Sequence, residues 1–350
     1  MKLTWMHGVG VVLGLLGGYA GYSAIPPSTG SLEQSPGARA LPRLVPSAQF
    51  FRLETGERWS WIGASEFNLL NRFRHGEDIE PVLTQLQSLG FNAVRVFTVY
   101  DICATGRGCQ AIGRSEPTPD LYVAIPGFAN VLATHGLYAE LVGFTGPYTL
   151  LPTDEAKVAH WQSLVSAVRG LSNITLELVN EYDHPANRGL PMDKLTRPAG
   201  IIASHGSATQ GQMPLLPVWD YATYRPGAGD DWMRKVARDG MATVAEAHTV
   251  PTVANETTRF PDNESSSAHA FDAAAGAALL SAGAVFHSVS GKAAVPWSGV
   301  EYDAAKAWAA GARSVPLTCQ GEPYRQIDSP AFLGVYARGA DPACVVRIRR

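Results

Sequence analysis

Two asparagine–glutamate pairs stand at corresponding places in the 350-residue chain. Asn180-Glu181 follows a mostly apolar, strand-like segment at 174–179, and Asn255-Glu256 follows another at 251–254. A glutamate that ends an apolar strand is costly to bury unless it has a partner or a task. Two carboxyl groups that face each other can divide the roles of general acid and nucleophile. Glu181 and Glu256 are therefore the first candidate catalytic residues.

The elements that must position these glutamates alternate between strand length and helical period, which predicts parallel strands joined by helices. Eight predicted strands, numbered one to eight, cover residues 61–64, 91–97, 137–142, 174–179, 201–204, 218–222, 251–254 and 284–287. Predicted helices cover 79–89, a segment starting after Thr153, 232–247, 268–281 and 302–310. Eight such units over about 250 residues are typical of the α/β class called the (β/α)8 or TIM barrel, whose catalytic groups follow the strand ends.

The two Asn-Glu pairs after strands four and seven resemble those of the clan A glycoside hydrolases, retaining TIM-barrel enzymes of the cellulase and mannanase type. The resemblance covers about residues 59–312. It implies that Glu181 is the general acid/base, that Glu256 is the nucleophile and that Asn180 binds the sugar 2-hydroxyl. It also implies that Arg95 in strand two keeps the nucleophile ionised. The implied reaction is hydrolysis of β-glycosidic bonds in an oligo- or polysaccharide, without a metal or organic cofactor.

Double displacement places demands on the pair of carboxyl groups. One must protonate the departing oxygen while the other attacks the anomeric carbon, with the two held ~5–5.5 Å apart. We expect Glu256 to be anionic beside Arg95 and Glu181 to be protonated because a negative charge faces it. As alternatives, Glu264 is the partner of Glu181, or Arg95 forms a structural ion pair with Glu66 or Glu177.

Further candidates follow the other predicted strands. Near the end of strand six, Tyr224 is predicted to hydrogen-bond the nucleophile. Strand eight ends in Phe286-His287 where the resemblance implies a tryptophan, and Trp297 follows ten residues later. The side chains predicted to contact sugar hydroxyls or to stack on sugar rings are Glu66, Asn68, His205, Trp219 and Trp297.

Composition excludes several classes of protein. Apolar residues make up 46% of the chain and charged residues 17%, which is typical of a globular enzyme. The net charge of -3 gives no basic surface for nucleic acid. The sequence has neither a G-x-G-x-x-G turn after the first strand nor a G-x-x-x-x-G-K-[ST] motif. Dinucleotide binding and nucleoside triphosphate binding therefore lose their main support.

The N-terminal residues differ from the rest of the chain. Residues 1–25 contain an uncharged run at 8–24 and predict a signal peptide or a membrane anchor, and a Pro/Ser/Gly-rich linker follows at 26–48. The predicted catalytic barrel covers 49–312, and a C-terminal extension covers 313–350. We expect the barrel to lie outside the cytoplasm, either secreted, periplasmic or in the cell envelope, with membrane attachment through 8–24 if the segment is not cleaved.

Four cysteines fit an oxidising compartment. Cys103 and Cys109 could close a short loop, and Cys319 and Cys344 bracket the C-terminal tail. The alternative is four unpaired thiols. Their spacing matches no zinc motif.

Two other functions remain open from the sequence. One is a non-catalytic carbohydrate-binding barrel at the cell surface, motivated by the weak matches at strands six and eight. The other is a different exported barrel hydrolase that uses Asp220, His205 or His287 around a metal ion.

Overall fold

The computed structural model describes residues 40–103, 113–146, 148–207, 218–225, 236, 249–256 and 267–350. Its central sheet has eight parallel strands: β1 (Trp61–Ser65), β2 (Ala93–Phe97), β3 (Tyr138–Phe144), β4 (Ile174–Val179), β5 (Ala203–Gly206), β6 (Ala222–Tyr224), β7 (Thr252–Ala254) and β8 (Gly283–Phe286). Neighbours in sequence are neighbours in the sheet, and β8 pairs with β1. A parallel bridge between Ser204 and Tyr221 joins the remaining edges. The predicted (β/α)8 barrel is confirmed.

Seven helices lie among the described residues: α1 (Leu69–Arg74), α2 (Glu80–Leu89), α3 (Pro119–Thr134), α4 (Asp154–Val168), α5 (Ser267–Leu280), α6 (Val289–Ala293) and α7 (Gly299–Arg313). Gly90 ends α2 in a left-handed conformation, and the Thr153 hydroxyl caps α4 by accepting from the amide of Ala156 at 3.2 Å. The predicted helix at 232–247 lies outside the described residues. None of the described helices is long and apolar enough to cross a membrane.

Helix α3 was not predicted, because Pro126 and Gly127 interrupt its interior. Proline removes a helical hydrogen bond and normally breaks or kinks a helix. Here one face of the helix, which includes Leu121, Ile125 and Phe128, is completely buried. Burial of that face offsets the local cost of the proline.

A small antiparallel sheet precedes the barrel and comprises Leu44–Ser47, Phe50–Leu53 and Arg58–Trp59. Its buried side chains Leu44, Phe51 and Trp59 pack with barrel residues such as Trp61 and Tyr221. This cluster fills the N-terminal end of the barrel. The folded part therefore begins before residue 49, inside the predicted linker, and residues 1–39 lie outside the described part.

A second antiparallel sheet follows α7 and comprises Tyr324–Ile327, Gly334–Arg338 and Val345–Ile348. A disulfide between Cys319 and Cys344, with a Cα–Cα distance of 5.6 Å, ties this C-terminal segment together as predicted. Cys103 is also disulfide-bonded. Cys109, its predicted partner, lies outside the described residues.

Candidate active site

Arg95 on β2 lies inside the barrel, is completely buried and contacts side chains from three other strands or strand ends. Its guanidinium donates to Glu140 on β3 at 3.0 Å, to Glu177 on β4 at 2.8 and 2.5 Å, and to Glu256 after β7 at 3.0 Å. It also donates to the side-chain oxygen of Asn180 at 3.0 Å. Arg95 thus makes the structural ion pair with Glu177 and also the predicted contact with Glu256.

Two further carboxyl groups, those of Glu140 and Glu177, contact the Arg95 guanidinium. Burial raises the pKa of Glu140 to about 8, with the charge of Glu177 acting in the same direction. Burial also raises the pKa of Glu177, while Arg95 opposes that rise. The hydroxyl groups of Tyr221 and Thr223 donate to Glu140 at 2.6 Å and to Glu177 at 3.2 Å. This layer supports Arg95 from the interior of the barrel.

Glu181 and Glu256 share an uncommon backbone conformation. Their φ angles are 52° and 49°, in the left-handed region that disfavours side chains other than glycine. Ala48 and Ala294 are the other non-glycine residues with positive φ in the described part of the chain. Each such residue costs about 1–2 kcal/mol. Strain of this kind clusters at functional sites, where the surrounding structure holds it in place.

Arg225, the first residue after β6, contacts both glutamates. Its Nη1 forms an ion pair with Glu181 Oε1, and its Nε lies 3.3 Å from Glu256 Oε2. Two carboxyl groups that contact one guanidinium are neighbours in space. The structure therefore brings Glu181 and Glu256 together at the C-terminal end of the barrel, where TIM-barrel active sites lie.

The strained segment at Glu181 is held by Asn187, which is 5% exposed. The Asn187 amide nitrogen donates to the backbone carbonyls of Asn180 and Glu181, both at 2.6 Å. Its amide oxygen accepts from the Gly146 amide at 2.9 Å and from the Tyr148 hydroxyl at 2.5 Å. One side chain thereby ties the residues after β4 to those after β3.

Replacing Asn187 by alanine is expected to lower the free energy of unfolding by about 1–3 kcal/mol, because two carbonyls lose a buried donor. The same change is expected to lower turnover of any glycoside substrate, since Glu181 loses the bonds that hold its backbone. Chemical denaturation and initial rates measure the two effects. Asn130→Ala, at an exposed position of α3, is the matched control. Equal behaviour of the two variants would contradict the role of Asn187.

The prediction that Tyr224 contacts the nucleophile needs correction. Successive side chains of a strand point to opposite faces, and Tyr221, Thr223 and Arg225 all point into the barrel. Tyr224 points to the helix side, where its hydroxyl lies 3.4 Å from the Val236 carbonyl. Arg225 occupies the place beside Glu256 that was predicted for Tyr224. It continues the alternation of β6, which is the signal that could have identified it.

The side chains of two other predicted residues turn away from the barrel interior. Glu66 is fully buried beside α6, and burial together with the charge of Glu301 raises its pKa well above the usual range. Trp297 is 4% exposed and packs against Phe91 and Phe286 in the core between barrel and helices. Neither contacts the glutamate pair, and a tryptophan covered on this scale offers no free face to a sugar ring.

The remaining candidates lie around the rim. The Asn68 side-chain oxygen accepts from Asn71 at 3.0 Å and from the Tyr100 hydroxyl. The His205 ring contacts Tyr182 and Trp219, and burial lowers its pKa to about 4. The sequence also left open a metal site. Among the described residues, no group of three His, Cys, Asp or Glu could hold a metal ion, and Asp220 pairs with Arg197.

His287, which follows β8 where the resemblance implied a tryptophan, is close enough to Glu256 to feel its charge. It is 2% exposed, and burial lowers its pKa to about 3 although the charge of Glu256 acts in the opposite direction. Its ring lies 5.5 Å from that of Phe67. The imidazole is therefore neutral over most of the pH range.

Comparison with solved structures finds glycoside hydrolases among proteins of similar fold. A glycoside hydrolase family 5 protein from Bacteroides vulgatus matches with a TM-score of 0.54 and 14% identity, over 73% of this chain and 64% of its own. A candidate glycoside hydrolase from the same organism matches with a TM-score of 0.60 and 12% identity, over 86% and 66%. Another glycoside hydrolase matches with a TM-score of 0.51 and 15% identity, over 75% and 69%.

The chain spans about two thirds of the length of these structures. No protein-family model and no curated protein matches the sequence. The structural neighbours are thus glycoside hydrolase TIM barrels at low sequence identity, and the likeness establishes the fold.

Proposed function

We propose that the protein is a retaining glycoside hydrolase that cleaves β-glycosidic bonds of an oligo- or polysaccharide. The observation that carries this proposal is the meeting of Glu181 and Glu256, from the ends of β4 and β7, on the guanidinium of Arg225. Both glutamates have the strained left-handed backbone expected of functional residues. The names of the structural neighbours give independent support for a carbohydrate substrate.

In the proposed reaction, Glu256 attacks the anomeric carbon and forms a glycosyl ester while Glu181 gives its proton to the departing oxygen. Water then attacks the same carbon and breaks the ester, and Glu181 takes the proton that this water loses. Arg95 stabilises the anionic form of Glu256 through the 3.0 Å contact. In this proposal Asn180, whose side-chain oxygen accepts from Arg95, binds the sugar 2-hydroxyl.

A second candidate is a carbohydrate-binding barrel without turnover. The ion pair between Arg225 and Glu181 favours it, because a general acid must carry a proton and a neighbouring guanidinium favours the anion. Such a protein would bind oligosaccharides and leave them intact.

We also propose that the protein acts outside the cytoplasm. The Cys319–Cys344 disulfide supports an oxidising compartment. The signal peptide or membrane anchor predicted at 1–25 would direct the protein out of the cytoplasm. Detection of the protein in culture medium, periplasm or membrane fractions of its host would test this location.

The test of the proposed activity is a panel of chromogenic β-glycosides and polysaccharides incubated with the full chain. For any substrate that is cleaved, ¹H NMR of the first-formed product reports its anomeric configuration. We expect the β-anomer first, since double displacement retains configuration. A first-formed α-anomer would exclude this mechanism, and binding without cleavage across the panel would favour the second candidate.

A further inference from the structure

Arg225 poses a chemical problem for the proposed mechanism. Double displacement starts with Glu256 ionised and Glu181 protonated. A guanidinium remains charged at all relevant pH values, and an opposite charge within ~4–6 Å favours the ionised form of a carboxyl group. Arg225 contacts both carboxyl groups, although only Glu256 has to be ionised at the start.

The other charged groups inside the barrel affect the charge of Glu256 more than that of Glu181. Arg95 contacts Glu256 from below, together with Glu177 and Glu140. Glu140 is mostly neutral below pH 8, because burial raises its pKa to about 8. Arg95 reaches the Glu181 segment only through the side-chain amide of Asn180.

The titratable groups at the rim of the barrel do not supply the positive charge that Arg225 places beside Glu181. His287 after β8 and His205 after β5 are both neutral near neutral pH, since burial lowers their pKa values to about 3 and about 4. The positive charge of Lys292 on α6 lowers the pKa of His287. Asp183 is exposed to solvent, which screens its charge. Among the described residues, Arg225 is the cation that pairs with Glu181.

We propose that Arg225 is a positioning residue that sets the charge of the general acid. In the free protein it holds Glu181 ionised beside Glu256, and sugar binding moves the guanidinium away so that Glu181 can take a proton from solvent. This inference rests on the proposed function of the two glutamates. It predicts that the working pH range of the enzyme depends on Arg225.

The pH profile of kcat/KM tests the proposal with Arg225→Met and Arg225→Lys. Loss of the positive charge destabilises the Glu181 carboxylate, so the pKa of Glu181 rises and the basic limb of the profile moves to higher pH. We expect a shift of about 1–3 pH units for Arg225→Met. Arg225→Lys keeps the charge and is expected to keep the limb near its wild-type position.

Arg197→Met is the matched control, because Arg197 also pairs with a carboxylate, Asp220, but is 56% exposed. It is expected to leave the profile unchanged. If Arg225→Met lowers activity by the same factor at every pH and leaves the basic limb in place, Arg225 has only a structural role. Arg225→Gln repeats the measurement should the methionine variant fail to fold.

A second readout does not depend on turnover. In protein labelled with ¹³C at glutamate carboxyl carbons, Glu181→Gln assigns the Glu181 signal, and its titration midpoint is expected to rise in Arg225→Met. A raised midpoint in a protein that cleaves no glycoside would support the role of Arg225 and reject the proposed function. An unchanged midpoint in a protein that does cleave glycosides would reject the role of Arg225 alone.

Discussion

Replacing Glu256 by glutamine is expected to abolish turnover of every substrate that the wild type cleaves. The amide cannot attack the anomeric carbon, so no glycosyl ester forms. The change is nearly isosteric and Glu256 lies at the barrel mouth, so the fold is expected to persist. Initial rates with the best chromogenic glycoside, together with circular dichroism, separate lost chemistry from lost structure.

Comparison variants sharpen this test. Glu57→Gln, at an exposed turn, is expected to retain full activity. Glu256→Ala leaves space for a small anion such as azide or formate, which should restore turnover and give a product of opposite anomeric configuration. Turnover by Glu256→Gln and Glu256→Ala without added anion would rule out Glu256 as the nucleophile.

The barrel could be predicted because its signals are local. The residues of β4 are those predicted, since Leu176 and Leu178 alternate with polar residues in 174–179 and a polar pair follows the strand. Both glutamates follow their strands, as the pattern indicated. The N-terminal sheet was missed because it consists of strands of two to four residues that are stabilised by contacts with the barrel end.

The contacts within the site depended on side-chain direction, which the sequence specifies poorly near strand ends. Predicted strand six ended at residue 222, whereas β6 begins there. An error in the position of a short strand hides which residues face inward, because facing alternates with every residue. Tyr224 was therefore preferred over its neighbour Arg225. Glu66 was predicted from its position after strand one and Trp297 from its distance along the chain after His287, and neither criterion distinguishes the barrel mouth from the helix side.

Arg95 is expected to contribute more to stability than any surface ion pair. Its side chain is completely buried among Glu140, Glu177 and Glu256. Removing one partner of a buried ion pair typically costs about 3–5 kcal/mol, because the remaining charge stays buried without compensation. Arg95→Leu is therefore expected to lower the free energy of unfolding by about that amount at neutral pH, as measured by chemical denaturation.

The pH dependence of this loss identifies its cause. Without Arg95, the pKa values of the remaining carboxyl groups rise further, and the buried charge is removed when these groups bind protons. The native state of Arg95→Leu then binds more protons than its unfolded state above the usual glutamate pKa, so its stability falls as pH rises through that window. We expect the difference from the wild type to shrink towards pH 4. Arg114→Leu, which breaks an exposed pair with Glu116, is expected to cost at most about 1 kcal/mol. An Arg95→Leu loss as small as this, or one that is constant with pH, would show that packing and not charge makes Arg95 important.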